Sequence, residues 1–168
     1  MLHGHYHPIM QCKLVGGFDA NNNLTSLHMR LSGQSILAAV RPAIVEQQKG
    51  RDPLTFQGVA DAGEHSLGYT FPNLLIDHAM RNTHVPPGFW RGVNINQNAF
   101  FLECFIDELA HSVGQDPLEF RRKLMKEHPR NLGVLNAVAE RVGWGKPAPA
   151  GIHRGLAQMK AFNSFVAA

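Results

Sequence analysis

Leu102-Glu103-Cys104-Phe105-Ile106-Asp107-Glu108-Leu109-Ala110-His111-Ser112-Val113-Gly114-Gln115-Asp116-Pro117-Leu118-Glu119 is the stretch that decides the fold class. Leu102, Phe105, Ile106, Leu109 and Val113 recur at helical spacing, which predicts a helix over about Asn98–Ser112 with one buried stripe and Gly114 as its stop. Asp116-Pro117-Leu118-Glu119 then combines an N-cap aspartate, a proline at the first helical position and a glutamate at the capping-box position. That second helix must end before Pro129. A third starts near Asn131, with Leu135, Val138, Ala139 and Val142 on one face and Gly143 at its end.

Upstream the texture changes. Gln11–Gly17 and Leu24–Leu31 read as an antiparallel strand pair, joined by Phe18-Asp19-Ala20-Asn21-Asn22-Asn23, whose residues tolerate left-handed turns. Ser35–Gln48 reads as a short helix interrupted at Pro42, Arg51-Asp52-Pro53 and Asp61-Ala62-Gly63 as turns, and Leu74-Leu75-Ile76 as a strand running on to Met80. Downstream, Lys146-Pro147-Ala148-Pro149-Ala150-Gly151 is a linker-like loop, and Gly155–Phe165 reads as one strand. The expectation is an α+β fold in which antiparallel strands pack against a cluster of about three helices. It forms a single unit over residues 1–168: strand-rich over 1–85, a loop over 86–97, helical over 98–144, and a linker and strand over 145–168.

Composition agrees and narrows the function classes. With 44% hydrophobic residues the chain can bury a core, and its 17% charged residues lie below the roughly 25% of an average domain, which excludes a coiled coil or a charged tail. The net charge of +3 is spread thinly, the densest cluster being Arg121-Arg122-Lys123 inside a helix pattern, so no basic stripe for nucleic acid is present. No apolar run approaches the eighteen or so residues of a membrane span. Cys12 and Cys104 form no C-x-x-C pair, and neither a P-loop, a G-x-G-x-x-G nor a G-x-S-x-G occurs.

Few residues carry chemistry. His3, His5 and His7 alternate and would share one face of a strand, but without second-shell partners no metal site is assigned to them. Cys104 beside the apolar stripe reads as a buried, inert thiol, and Asp107, Glu108 and His111 as a solvated helix face. The unusual segment is Val85-Pro86-Pro87-Gly88-Phe89-Trp90-Arg91-Gly92-Val93-Asn94-Ile95-Asn96-Gln97-Asn98, a stiff loop running straight into the first helix. Its single charge, Arg91, sits between an aromatic residue and a glycine near a helix N-terminus. Two readings follow: a clamp for phosphate or an anionic transition state, or a structural loop with Arg91 stacked on Trp90.

The same residues carry a family resemblance. Gly88-Phe89-Trp90-Arg91-Gly92-Val93, Gln97-Asn98-Ala99-Phe100, Phe105-Ile106-Asp107-Glu108-Leu109-Ala110 and Asp116-Pro117-Leu118-Glu119-Phe120-Arg121 resemble the molybdopterin-binding large subunit of the xanthine dehydrogenase and aldehyde oxidase family, of the isoquinoline 1-oxidoreductase β-subunit type. His5-Tyr6-His7-Pro8, Ser32-Gly33-Gln34-Ser35-Ile36-Leu37, Val142-Gly143-Trp144-Gly145, Gly155-Leu156-Ala157 and Ser164-Phe165-Val166-Ala167 extend the likeness collinearly along the chain. The resemblance implies a molybdenum-molybdopterin cofactor approached by the loop 86–97, with Arg91 as the catalytic residue that orients substrate and stabilises negative charge. Phe89, Trp90, Gly92, Val93 and Gln97 are the implied cofactor-binding residues. Asn94 and Ile95 replace a glycine pair of the xanthine-oxidising branch.

The implied reaction is hydroxylation of an N-heteroaromatic or aldehyde carbon with oxygen from water, a glutamate acting as base. The implied partners are the remainder of the large subunit and a small subunit carrying [2Fe-2S] clusters, in a cytoplasmic or periplasmic setting. The family's glycine-rich cofactor motif and its G-x-G-E segment with the base glutamate have no counterpart in this sequence. The resemblance therefore implies an internal piece of such a subunit that neither holds the cofactor tightly nor turns over alone. The alternative is a non-catalytic α+β module for subunit contact or anion binding.

Overall fold

The computed structural model describes residues 6–60, 63 and 66–168; His3, His5, Asp61 and Ala62 lie outside them. Strands β1 (Met10–Phe18) and β2 (Leu24–Gly33) form the expected antiparallel pair, with a register shift between Gly17 and Phe18. The Asp19 carboxylate accepts bonds from the backbone amides of Asn21 and Asn23 and so holds the turn between the strands. On β2, Leu27, Met29 and Leu31 alternate into the core and are fully buried, the period of a sheet with one packed face.

The chain then leaves the sheet and returns. Helix α1 (Ile36–Val40) and helix α2 (Pro42–Gln47) divide at Pro42 as the sequence predicts, and Pro53–Phe56 is a 3₁₀ turn capped by Asp52. Strand β3 (Leu74–Met80) comes back beside β2 but runs parallel to it, so the antiparallel expectation holds for β1–β2 and not for β3. A parallel neighbour requires a long crossover, and residues 34–73 supply one.

Helix α3 (Ile95–Ser112) begins a turn earlier than the periodicity indicates and ends at Gly114, whose φ of +66° suits a glycine. Leu102, Ile106 and Leu109 are its buried stripe. Gly16 lets β1 approach, since a Cβ there would lie 2.6 Å from Leu109 Cδ2. Helix α4 (Pro117–Leu124) starts as the motif predicts: Asp116 accepts from the amides of Leu118 and Glu119. Only half of the capping box forms, because the Glu119 carboxylate pairs with Arg122 at 2.5 Å instead of turning back. Helix α5 (Pro129–Arg141) takes Pro129 as its first residue, two residues ahead of the predicted start.

The single strand expected over Gly155–Phe165 is instead a hairpin, β4 (Gln158–Ala161) and β5 (Ser164–Ala167). Phe162 and Asn163, at φ +48° and +57°, make the two-residue turn with both positions left-handed, as a type I′ hairpin demands. Phenylalanine there gives no turn signal in the sequence. Leu27, Met29 and Leu31 of the sheet, Leu102, Ile106 and Leu109 of α3, and Leu118, Leu135 and Leu156 meet in one core.

Candidate functional site

The loop ahead of α3 is anchored at both ends. Gln34, 3% exposed, donates through Nε2 to the Val85 carbonyl at 2.7 Å and to Thr83 Oγ1 at 2.9 Å, while its Oε1 accepts from the Ile9 amide at 2.9 Å. The Gly88 amide donates to the Tyr6 carbonyl at 2.9 Å. Between these anchors and the helix, residues 90–95 form a tight double turn: the Val93 amide donates to the Trp90 carbonyl at 2.8 Å and the Ile95 amide to that of Gly92 at 2.9 Å. Asn96 Nδ2 donates to the Arg91 carbonyl at 2.5 Å and closes the turn from the helix side.

That turn is strained where the chemistry is expected. Gly92 sits at φ +82°, and a Cβ there would lie 2.0 Å from Asn96 Oδ1, so a larger residue would strain the turn and displace Asn96. Val93 follows at φ +50°, a conformation that β-branched residues avoid and that concentrates at functional sites. The turn pushes Phe89, Trp90 and Arg91 to the surface, with Trp90 56% exposed. Arg91 does not stack on Trp90. The cation that packs on the loop is Arg41, whose guanidinium carbon lies 5.7 Å from the centroid of the Phe89 ring. Among the described residues no carboxylate is within ion-pair distance of Arg91.

Beneath the loop lies a layer of buried polar side chains: Asp52, Thr55, Gln57, Asn94, Gln97 and Asn98. Asn98 Nδ2 donates to the carbonyls of Thr55 and Gln57, both at 2.8 Å, Asn94 Nδ2 to that of Leu54 at 2.9 Å, and Gln97 Nε2 to Asn94 Oδ1 at 2.6 Å. Three oxygens of this layer, Thr55 Oγ1, Gln97 Oε1 and Asn98 Oδ1, are buried with no partner among the described residues. Leaving such atoms unpaired costs about 1–3 kcal/mol each, so the layer fits a group that brings N–H or O–H donors to it.

The structure thus places Phe89, Trp90, Arg91, Gly92 and Val93 in one turn and Gln97 below it, in the first turn of α3. Thr55, Gln57, Asn94 and Asn98 are not among the site residues that the sequence marks. The run Asn94-Ile95-Asn96-Gln97-Asn98, four amide side chains opening a helix, was the available signal. Cys104 is also corrected: it is exposed, not buried. Partial burial and the negative Asp107, Glu108 and Glu103 push its thiol up, which makes it a poor nucleophile for a reason other than inaccessibility.

A second polar cluster lies deeper along α3. Arg121, fully buried, donates through Nε and Nη2 to Glu103 Oε2, both at 3.1 Å, through Nη2 to the Glu103 carbonyl at 3.0 Å, and through Nη1 to Asp107. The Tyr69 hydroxyl donates to Glu103 Oε1 at 2.8 Å and the Gln158 amide to Oε2 at 3.1 Å. Burial pushes the Glu103 carboxyl up, against the pull of Arg121 and of these hydrogen bonds. With both oxygens engaged, Glu103 is a structural group. It is not a stand-in for a catalytic base.

Three comparisons bear on this geometry. A family model described as the molybdopterin cofactor-binding domain matches residues 52–125, which hold the polar layer, the loop and α3. The chain is 26% identical over 166 residues to the isoquinoline 1-oxidoreductase subunit beta of Brevundimonas diminuta, covering 96% of this chain and 20% of that one. It is 27% identical over 146 residues to a membrane-bound aldehyde dehydrogenase of Gluconacetobacter polyoxogenes, whose name carries pyrroloquinoline quinone, covering 77% of this chain and 18% of that one. The fold is that of part of the aldehyde oxidoreductase from Desulfovibrio gigas, with a TM-score of 0.53 at 17% identity over 86% of this chain and 17% of that one. The chain spans about a fifth of the length of these curated relatives. The strained Arg91 turn and the polar layer below it both lie within the stretch matched by the molybdopterin cofactor-binding domain, in a chain similar along most of its length to the isoquinoline 1-oxidoreductase subunit beta.

Proposed function

We propose that this chain supplies one wall of a molybdenum-molybdopterin site in an oxidoreductase that hydroxylates N-heteroaromatic or aldehyde substrates with oxygen from water. The observation that carries the reading is the strained turn bearing Arg91 above three buried oxygens that have no partner among the described residues, inside the matched domain. When bound, the cofactor supplies the two-electron oxidation.

This chain's residues do the rest of what its wall contributes. Gln97, the least enclosed of the three, would be the side chain of this layer to turn its Oε1 to the cofactor's N–H groups, with Thr55 and Asn98 behind it. Phe89 and Trp90 would cover the cofactor with aromatic surface, and the Gly92-Val93 backbone would allow it close approach. Arg91, held by its carbonyl to Asn96 and free of carboxylate neighbours among the described residues, presents its guanidinium to substrate and to the negative charge that develops during reaction. The proton-accepting glutamate comes from elsewhere in the enzyme, because Glu103 is fully engaged. Electrons leave through a [2Fe-2S] partner. On its own the chain is inactive.

Cofactor analysis tests this reading. The purified 168-residue chain is expected to carry no molybdenum, whereas the assembled enzyme containing it yields molybdenum and a fluorescent oxidised pterin on denaturation. Stoichiometric molybdenum in the isolated chain overturns its proposed inactivity and loose binding. Pyrroloquinoline quinone in place of pterin in the assembled enzyme overturns the cofactor assignment.

A further inference from the structure

We propose that the β4–β5 hairpin is a strap that opens separately from the rest of the fold, latched to the helical layer by the Gln158 side chain and the Glu103 carboxylate. This does not depend on the cofactor reading. The hairpin is short, four residues per strand around a two-residue turn, and a hairpin of that size is marginal by itself. It is tied to α5 by residues 142–157, where Gly143, Gly145 and Gly151 are left-handed and Pro147 and Pro149 interrupt regular structure.

Its deepest hold on the body is at one position, while its other ties lie at the surface: Lys160 Nζ donates to the Gly63 carbonyl at 2.7 Å and the Arg130 guanidinium lies 5.8 Å from the centroid of the Phe165 ring. Within the two strands Gln158 is the one buried residue, 3% exposed, with Leu156 buried just before it. The Gln158 amide donates to Glu103 Oε2 at 3.1 Å, and its side-chain Oε1 accepts from Asn131 Nδ2 at 2.8 Å. Gly68 makes room for this plug: a Cβ there would lie 2.4 Å from Asn131 Nδ2 and 2.7 Å from Gln158 Oε1. On the α3 side the fit is loose, leaving an apolar cleft of ≈ 230 Å³ walled by Ala99, Phe100, Cys104, Met159, Val166 and Ala167.

The receptor outlives the latch, which is what makes the strap two-state. If the hairpin lifts, Glu103 keeps its bonds from Arg121 and from the Tyr69 hydroxyl, so no unpaired buried charge is created and α3, α4 and α5 stay packed. Local opening of this kind falls at the low-stability end of a protein's range. Lifting the hairpin removes one wall of the cleft and uncovers Ala99, Phe100 and Cys104 of α3 together with the Glu103 and Asn131 side chains that Gln158 covers.

Hydrogen exchange on the full chain tests the proposal. In the wild type the reciprocally bonded Ala157 and Ala168 amides and those of β4 should exchange at least tenfold faster than the centre of α3 and α5. Q158A should speed hairpin exchange about ten- to a hundred-fold more while leaving α3 unchanged, because it removes the buried plug and leaves Asn131 Nδ2 without its acceptor, although the backbone amide of residue 158 keeps its bond to Glu103. E103Q keeps an acceptor oxygen for the Gln158 amide but takes from Arg121 the buried one of its two carboxylate partners, so it should raise exchange across the whole fold. A hairpin exchanging at the same rate as α3 and α5 in the wild type, or a Q158A effect spread evenly over the chain, overturns the strap.

Discussion

Replacing Arg121 with methionine should cost more than any other single change in the helical layer, and the structure shows why. The guanidinium is fully buried, makes two 3.1 Å bonds to Glu103, bonds Asp107, and also donates to the carbonyls of Glu103 at 3.0 Å and Pro117 at 3.3 Å. Methionine fills much of the volume but leaves Glu103 buried with its charge uncompensated, which costs about 3–5 kcal/mol. For a domain of this size that is a fall in Tm of roughly 6–20 °C. Lysine should rescue little, because a point charge cannot make the forked contact.

The cost should also depend on pH in a defined direction. Burial already pushes the Glu103 carboxyl up, and removing Arg121 takes away the main opposing charge. A folded-state pKa raised above the unfolded one leaves stability intact below the unfolded value and loses it as pH rises through the folded value. The R121M penalty should therefore be largest at neutral pH and shrink as the pH falls toward the ordinary carboxylate range. Urea denaturation followed by circular dichroism, wild type against variant from pH 8 to pH 5, reads both effects. A penalty under about 1 kcal/mol, or one that grows on acidification, refutes the buried pair.

Three further outcomes follow from single residues. Gly92→Ala should destabilise the Arg91 turn by about 1–3 kcal/mol in the same urea assay, since it combines a left-handed φ with a 2.0 Å clash against Asn96; an unchanged midpoint contradicts the turn geometry. Asp116→Ala should cost about 1–2 kcal/mol, because it removes the α4 cap and the acceptor of the Trp144 indole N–H at 2.9 Å, and tryptophan fluorescence should shift with it. Burial raises the Cys12 thiol to about 11, so at pH 8 alkylation read by mass spectrometry should modify exposed Cys104 first and Cys12 only slowly; equal rates contradict the packing of β1.

Local signals in the sequence carried the helical half of this fold. Asp116-Pro117 starts α4 and Gly114 and Gly143 stand left-handed past α3 and α5, because caps and stops act over one turn of chain. The Phe18–Asn23 turn and the first strand pair were legible for the same reason. The parallel placement of β3 was not, since its partner is chosen by a crossover of some forty residues with no local mark. The break at Phe162-Asn163 was hidden because a left-handed phenylalanine is held by tertiary context.

At the site, the loop with Arg91 stood out by composition, and the resemblance named its residues. The polar floor did not stand out, because Thr55 and Gln57 reach Asn94 and Asn98 only through folding. Glu103 and Arg121 look like ordinary helix charges until the packing of α4 on α3 removes water from both.

The proposed action of Arg91 on substrate, from a wall that this chain builds, is tested by Arg91→Met in the assembled enzyme, with hydroxylation of isoquinoline and benzaldehyde measured alongside molybdenum and pterin per subunit. Cofactor content should match the wild type while kcat falls about 10²–10³-fold, the cost of removing one preorganised donor to developing negative charge. Full turnover by a variant with normal cofactor content would contradict the account.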